Sequence, residues 1–261
     1  MRSIRFFPLL GLAVVAACSS TYAPTNGGGS PAVISATFLS AGDSASIAPD
    51  VDAFRAELGG FLHPPAAPAD DSGRREVNWD GVPPAQTNVN TFPGDFFNVT
   101  STRGLLMVAP GNGGFRVDSS GFGDIDSTFA TQFKPFSPRK LFMPVGTAKV
   151  ELRFDRVHTS TPGLIKGFGV VFSDVDRAGS TKVECFDSAG VRIASLQAVA
   201  ASGSGLYSFV GVVFTSPVIA SVQITSGESP VNGVTRDLSV GGTRDLVTMD
   251  DFIYGEPQLM P

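Results

Sequence analysis

Hydrophobic and polar residues alternate through most of the second half of the chain, which is the pattern of half-buried β-strands. In "KVELRF", Val150, Leu152 and Phe154 alternate with Lys, Glu and Arg. Similar short runs recur from Arg103 to Gly255 and are separated by turns rich in Gly, Pro and Asp. About nine short strands without interleaved helices predict an all-β fold, an antiparallel β-sandwich or jelly roll.

One segment before the strands has helical periodicity. In "SASIAPDVDAFRAELGG", three apolar residues fall on one face: Val51, Phe54 and Leu58. Pro49, Asp50 and Asp52 are typical of a first helical turn, where acidic groups meet the positive end of the helix dipole. Gly59 is a stop signal. The pattern therefore predicts one short N-terminal helix that begins near Pro49.

A long polar segment follows the helix, from residue 61 to residue 85, "FLHPPAAPADDSGRREVNWDGVPPA". A loop of this length inside a compact domain needs anchoring. Trp79 is the candidate for an aromatic sugar-binding platform, with Arg75, Asn78 and Asp80 as polar neighbours. The alternative is that Trp79 is a core residue that holds the loop in place.

The N-terminus, "MRSIRFFPLLGLAVVAAC", has two arginines and then an apolar run of about a dozen residues. This length suits a signal peptide over residues 1–17 and is too short to span a bilayer. Val15-Ala16-Ala17-Cys18 resembles the lipobox of bacterial lipoproteins, which implies that Cys18 is diacylated and becomes the new N-terminus. The alternative is an ordinary signal peptide in which Cys18 is incidental.

Serines follow Cys18, where an aspartate resembles an inner-membrane retention signal in Gram-negative lipoproteins. The absence of an acid there favours the outer membrane or cell surface, with a lipid anchor in the membrane. We assign residues 18–42 to the lipidated cysteine and a flexible tether. Residues 43–100 are assigned to the helix and long loop packed on the sandwich, and residues 101–257 to the sandwich itself.

The composition supports a β-rich exported protein. Hydrophobic residues make up 42% and charged residues 16%, with 30 Gly, 19 Pro and 21 Phe. The net charge of −5 and the lack of a basic stripe exclude nucleic acid as a partner. Two cysteines give no disulfide framework. If Cys18 is lipidated, Cys185 stands alone, and we expect a buried, inert thiol.

Five segments carry a family resemblance: "GFGVVFSDVD", "ECFDSAGVRIASL", "YSFVGVVF", "IASVQITSG" and "MDDFIYGEP". Together they resemble the β-sandwich domains of uncharacterised exported bacterial proteins, some of which end in PEP-CTERM-type sorting signals. This sequence stops soon after "YGEP" without such a tail, and lipidation would replace that anchor. More distantly, the Asp-Asp-Phe strand resembles jelly-roll carbohydrate-binding modules, which implies a structural calcium ligand in a late strand.

Aspartates recur in close pairs, which raises the possibility of a metal site. Asp174 and Asp176 are two residues apart, and in an extended segment they would share a face. Asp250 and Asp251 lie inside the apolar run "LVTMDDFIYG". Carboxylate oxygens are ligands that calcium prefers, so these four acids form the predicted structural calcium site. The alternative is ordinary turn and solvent chemistry.

The sequence gives little support for catalysis, and we assign no catalytic residue. The two histidines lie in loop-like contexts, and neither a nucleophile elbow nor zinc-ligand spacing is present. Glu76, Glu151 and Glu184 could in principle serve a glycosidase. We predict noncatalytic binding of a glycan or another envelope component. The alternatives are a secreted glycoside-directed hydrolase and a purely structural or adhesion protein.

Overall fold

Two antiparallel sheets pack face to face in the computed structural model, which describes residues 32–260. The predicted signal peptide, Cys18 and the tether up to residue 31 lie outside the described residues. The strands are β1 (Ile34–Gly42), β2 (Arg74–Val77), β3 (Leu105–Val108), β4 (Gly114–Asp118), β5 (Leu141–Val145), β6 (Lys149–Phe154), β7 (Gly163–Leu164), β8 (Gly167–Ser173), β9 (Lys182–Phe186), β10 (Arg192–Gln197), β11 (Tyr207–Phe214), β12 (Ser221–Thr225), β13 (Thr248–Gly255) and β14 (Gln258–Leu259). The helices are α1 (Ser44–Glu57), α2 (Phe96–Val99) and α3 (Phe129–Gln132).

The strand order is that of a jelly roll. β5 pairs with β13, β6 with β12, β8 with β11 and β9 with β10, as in one long ribbon rolled up on itself. Further pairing of β13 with β8 and of β12 with β9 gives orders 5-13-8-11 and 6-12-9-10. This arrangement confirms the predicted all-β fold, because two packed antiparallel sheets with these pairings define a jelly roll.

Additional strands widen both sheets. β1, β4 and β2 join the first sheet, and β3 joins the second. The main core lies between the two sheets, and α1 covers the outer face of the first sheet. Because both faces of the first sheet are covered, all residues of β8, β11 and β13 are buried. Among residues 32–260, no helix is long and apolar enough to cross a membrane.

The predicted helix is present but begins earlier than expected. Asp43 is its N-cap and accepts a hydrogen bond from the Ser46 N–H at 2.8 Å. Pro49 therefore lies inside the helix, and Asp50 and Asp52 are not first-turn charges. The tether assignment also needs correction, because residues 34–42 form β1 and pair with β11 along its length.

Helix α1 is seated on a pair of glycines. Gly169 of β8 and Gly211 of β11 are direct cross-strand partners, and the Phe54 ring lies over them. A Cβ atom at Gly169 would come within 2.7 Å of that ring, and one at Gly211 within 2.8 Å. The absence of both side chains allows the helix to approach the sheet closely.

We expect Gly211→Ala to lower the free energy of unfolding by about 1–3 kcal/mol, because the added methyl group overpacks a closed core. Urea unfolding of the chain from Ala32 would measure the change. Gly81→Ala is the matched control, since a Cβ there meets no atom within 4 Å. Equal stabilities of the two variants would contradict this explanation of how α1 packs on the sheet.

Four connections gather at one end of the jelly roll: β5–β6, β8–β9, β10–β11 and β12–β13. Backbone hydrogen bonds join them, from the Ala201 N–H to the Val175 carbonyl and from the Ser226 N–H to the Ala148 carbonyl. The Gly227 N–H also donates to Thr181 Oγ1. We call this region the loop end, and it holds the candidate site.

Candidate metal centre

Three aspartates converge at the loop end. Asp174 and Asp176 follow β8 directly, and Asp237 comes from the long connection between β12 and β13. Each can place one carboxylate oxygen within 4.8 Å of the others. Asp174 and Asp237 are fully buried, and Asp176 is half-buried. This triad has the donor set and spacing to hold a metal ion.

The backbone around each acid is fixed by local hydrogen bonds. Asp174 has a left-handed conformation, with φ of +71°, and its N–H donates to the Leu206 carbonyl at 3.0 Å. Asp237 accepts hydrogen bonds from the Ser239 N–H at 2.7 Å and from the Leu246 N–H at 2.6 Å. The positive φ costs energy in a residue other than glycine, which marks Asp174 as a strained position.

Asp245 stabilises the backbone turn that carries Asp176. Its carboxylate accepts hydrogen bonds from the Asp176 N–H at 3.1 Å and from the Arg177 N–H at 3.0 Å. The Ser180 hydroxyl also donates to it. Asp245 is fully buried and holds the turn that presents Asp176.

Two buried oxygens of the triad have no partner among the described residues: Asp174 Oδ1 and Asp176 Oδ2. Burial, followed by the charges of Asp237 and Asp176, raises the pKa of Asp174 to about 8. Burial likewise raises the pKa values of Asp176 and Asp245. No Lys or Arg of the described chain forms an ion pair with these acids. A bound cation would neutralise them and satisfy the orphaned oxygens.

Asp250 and Asp251 do not join this triad, contrary to the sequence-based ligand set. They form a β-bulge in β13, where the pairing with β8 shifts between Met249 and Phe252. The Phe136 and Ser137 N–H groups donate to Asp250 Oδ2, and the Ser137 hydroxyl contacts both carboxylates, at 3.0 and 2.7 Å. Their carboxylates thus bind the segment before β5.

Trp79 is not a sugar-binding platform, because only 1% of it is exposed. Its ring stacks on Phe142, with centroids 4.2 Å apart and planes 4° from parallel. Its Nε1–H donates to the Asp250 carbonyl at 2.9 Å. The alternative reading is the correct one: Trp79 is a core residue that holds the long loop in place.

The polar neighbours of Trp79 do not share a face either. Arg75 is fully buried in an ion pair with Glu256, whereas Asn78 is exposed and Asp80 is half-buried. This set therefore offers no common ligand-binding surface.

The residues considered for catalysis have structural surroundings. Cys185 is fully buried, and burial raises the pKa of its thiol to about 12, which fits an inert core residue. His63 Nε2 contacts the Ser72 carbonyl at 2.8 Å, and His158 Nε2 contacts the Ala66 carbonyl at 3.1 Å. Neither histidine has a nucleophile among these contacts.

Two of the glutamates line a small depression of about 90 Å³ on the outer face of the second sheet. Glu151 and Glu184 lie on either side of Gln223 in the paired strands. Hydrogen bonds from Lys182 and Arg192 lower the pKa of Glu184. A glycosidase acid needs the opposite shift, so Glu184 does not fit that role.

Sequence reasoning found two members of the triad and missed Asp237, together with its support Asp245. A repeated tetrapeptide could have revealed them, since "TRDL" occurs at residues 235–238 and again at 243–246. The two copies lie side by side, with a parallel bridge between Asp237 and Arg244.

Comparisons with known proteins place the chain in no family. No protein-family model matches it, and no curated protein matches it. A solved structure, the enzymatically active domain of tailspike protein 4 of bacteriophage CBA120, is similar at 14% identity and a TM-score of 0.29. The match covers 67% of this chain and 22% of the tailspike chain. A likeness at this level carries no argument about activity.

Proposed function

We propose that this protein is a noncatalytic binding module, exported and lipid-anchored through Cys18, whose acidic triad holds a calcium ion. The observation that supports the ion is the pair of buried, unpartnered oxygens on Asp174 and Asp176 beside Asp237. Oxygen-only donors favour a hard cation, and irregular loops suit the flexible coordination of calcium better than the strict octahedron of magnesium.

The ion would act by ordering the loop end. The ligands come from two connections, β8–β9 and β12–β13, and Asp176 Oδ1 also accepts a hydrogen bond from the Gly203 N–H of β10–β11 at 3.1 Å. One ion would therefore join two loops directly and a third through the hydrogen bond between Gly203 and Asp176. We propose that the ligand is a glycan or another envelope component, bound by a surface that depends on this order.

The outer face of the second sheet supports binding rather than hydrolysis. Glu151, Gln223 and Glu184 stand in register across three strands and offer hydrogen-bonding groups. Both glutamates are already paired with neighbouring cations, and the depression has a volume of only about 90 Å³. Such a surface suits polyhydroxy ligands, and the cations paired with Glu184 hold it in its charged form rather than as the proton donor that a glycosidase requires.

Thermal unfolding of the chain from Ala32, with calcium and then with excess chelator, tests the proposal. Residues 32–261 form their own compact unit. At about a hundred times its Kd, calcium should stabilise the fold by about 2.7 kcal/mol, which corresponds to a rise in Tm of about 5–10 °C. A glycan screen with the calcium-loaded chain then tests the ligand class, and chelation should abolish any binding found.

Two variants test which acids bind the ion, the triad at the loop end or the Asp250–Asp251 pair that the sequence suggested. Asp176→Asn should abolish the calcium-dependent rise in Tm, because it removes a ligand charge. Asp250→Asn should leave that rise unchanged, because Asp250 binds the 136–137 backbone instead. Identical melting curves with calcium and chelator would overturn the calcium proposal.

A further inference from the structure

A glutamine beside the acidic triad makes no side-chain hydrogen bond of good geometry. Gln132, the last residue of α3, is fully buried, and both its Nε2 and Oε1 atoms are without a hydrogen bond. A buried amide without hydrogen bonds costs free energy, because its contacts with water are lost and not replaced. A native core rarely keeps such a group without a reason.

Gln132 is held against the triad by its neighbours. Its carbonyl accepts a hydrogen bond from the Gly205 N–H at 2.9 Å. Two residues further along the chain, the Lys134 N–H donates to the Ser173 hydroxyl at 3.0 Å. Ser173 directly precedes Asp174. Phe129 and Phe133 anchor the same turn in a small core beneath it. The Gln132 amide lies within reach of the Asp174 carboxylate, and this contact partly opposes the rise in pKa that burial causes there.

We propose that Gln132 Oε1 is a fourth side-chain ligand of the ion, an inference that rests on the proposed calcium site. Amide oxygens of Asn and Gln are ordinary calcium ligands. The two ends of the amide are interchangeable by a half-turn, so the oxygen can be directed at the ion. Being neutral, it adds a donor without adding to the negative charge of three buried carboxylates.

The consequence is a connection between the ion and a segment outside the eight jelly-roll strands. α3 belongs to the stretch between β4 and β5, residues 119–140, which packs on the first sheet through Phe122, Phe129 and Phe133. Calcium bound by Gln132 would hold this stretch to the loop end, so that its release would loosen α3 as well as the loops.

Calcium titration by calorimetry, using the chain from Ala32, tests the assignment. Gln132→Leu should weaken calcium binding about ten- to a hundredfold, as the loss of a metal-site partner typically does. Gln132→Glu keeps an oxygen donor and should restore affinity. Gln86→Leu is the matched control, because Gln86 Oε1 is also buried and unpartnered but belongs to the 3-10 turn at Pro84–Gln86.

Amide hydrogen exchange gives a second readout. Calcium should slow exchange across residues 129–134 in the unsubstituted chain and leave it unchanged in Gln132→Leu. If the unsubstituted chain binds calcium and Gln132→Leu binds it equally well, the role of Gln132 is overturned while the triad stands. If the unsubstituted chain binds no calcium, the triad and Gln132 fail together.

Discussion

Glu256→Gln should lower the free energy of unfolding by about 3–5 kcal/mol, because it leaves the buried Arg75 guanidinium without its counter-charge. Both side chains are 0% exposed, and they meet through two hydrogen bonds, Nε to Oε2 at 2.5 Å and Nη2 to Oε1 at 3.0 Å. Arg75 Nη2 also donates to the carbonyls of Ala67 and Pro68 at 3.2 and 3.0 Å. The pair thus anchors the long loop to the residue that follows β13.

Urea unfolding of the chain from Ala32 measures this loss. Glu151→Gln is the control, since Glu151 pairs with a largely exposed arginine and such surface pairs contribute about 0–1 kcal/mol. The double variant Arg75→Met with Glu256→Met should recover part of the stability, because no unpaired charge remains. A loss for Glu256→Gln no larger than that of the control would refute this view of the loop anchor.

The metal-free protein should lose stability as the pH rises, and the Asp250–Asp251 pair should account for a distinct part of that loss. Ser137 has a single hydroxyl hydrogen, yet its oxygen contacts both carboxylates. A proton on one carboxyl group would allow that group to donate to the Ser137 oxygen while the hydroxyl donates to the other carboxylate. Burial and then the charge of Asp251 raise the pKa of Asp250 well above its ordinary range, and burial raises that of Asp251.

The direction of the change in stability with pH follows from these pKa shifts. Unfolded aspartate releases its proton near pH 4, whereas the folded pair keeps one to a higher pH. The free energy of unfolding should therefore fall as the pH rises from about 4 towards the raised pKa, by about 1.4 kcal/mol per pH unit for each proton retained. Three other ionisable groups face the pair and remain in every variant: Arg55, Glu76 and Tyr207.

Asp250→Asn isolates this contribution. The amide oxygen can still accept from the Phe136 and Ser137 N–H groups, and the amide nitrogen can donate to the Ser137 hydroxyl, so the bulge is preserved without a shared proton. Urea unfolding between pH 5 and pH 8 in chelator should give a smaller slope for this variant. Equal slopes would show that the pair holds no proton.

The repeating patterns of the chain predicted its secondary structure well. The alternation in β6 and the apolar runs of β8, β11 and β13 identify strands, since burial on one or both faces determines those patterns. The stripe on α1 likewise identifies its buried face. β1 was missed because its polar and small residues resemble the tether that precedes them, and only pairing with β11 makes it a strand.

The acidic site was harder to predict because its geometry depends on irregular backbone. Residues at i and i+2 share a face only where the chain is extended, but Asp174 has a positive φ. Asp250 and Asp251 could not be separated from the site by sequence, because a bulge in β13 redirects both side chains. Asp237 and Asp245 come from the long β12–β13 connection, whose path depends on tertiary contacts rather than on periodicity.

The direction of β1 shows at which end of the first sheet the described chain begins. Ile34 pairs with Phe214 and Gly42 with Tyr207, so the chain arrives at the end of β11 that lies away from the loop end. Eight residues of β11 span roughly 25 Å at the usual rise of a strand. The first described residues and the acidic triad therefore lie at opposite ends of the first sheet, separated by the full length of β11.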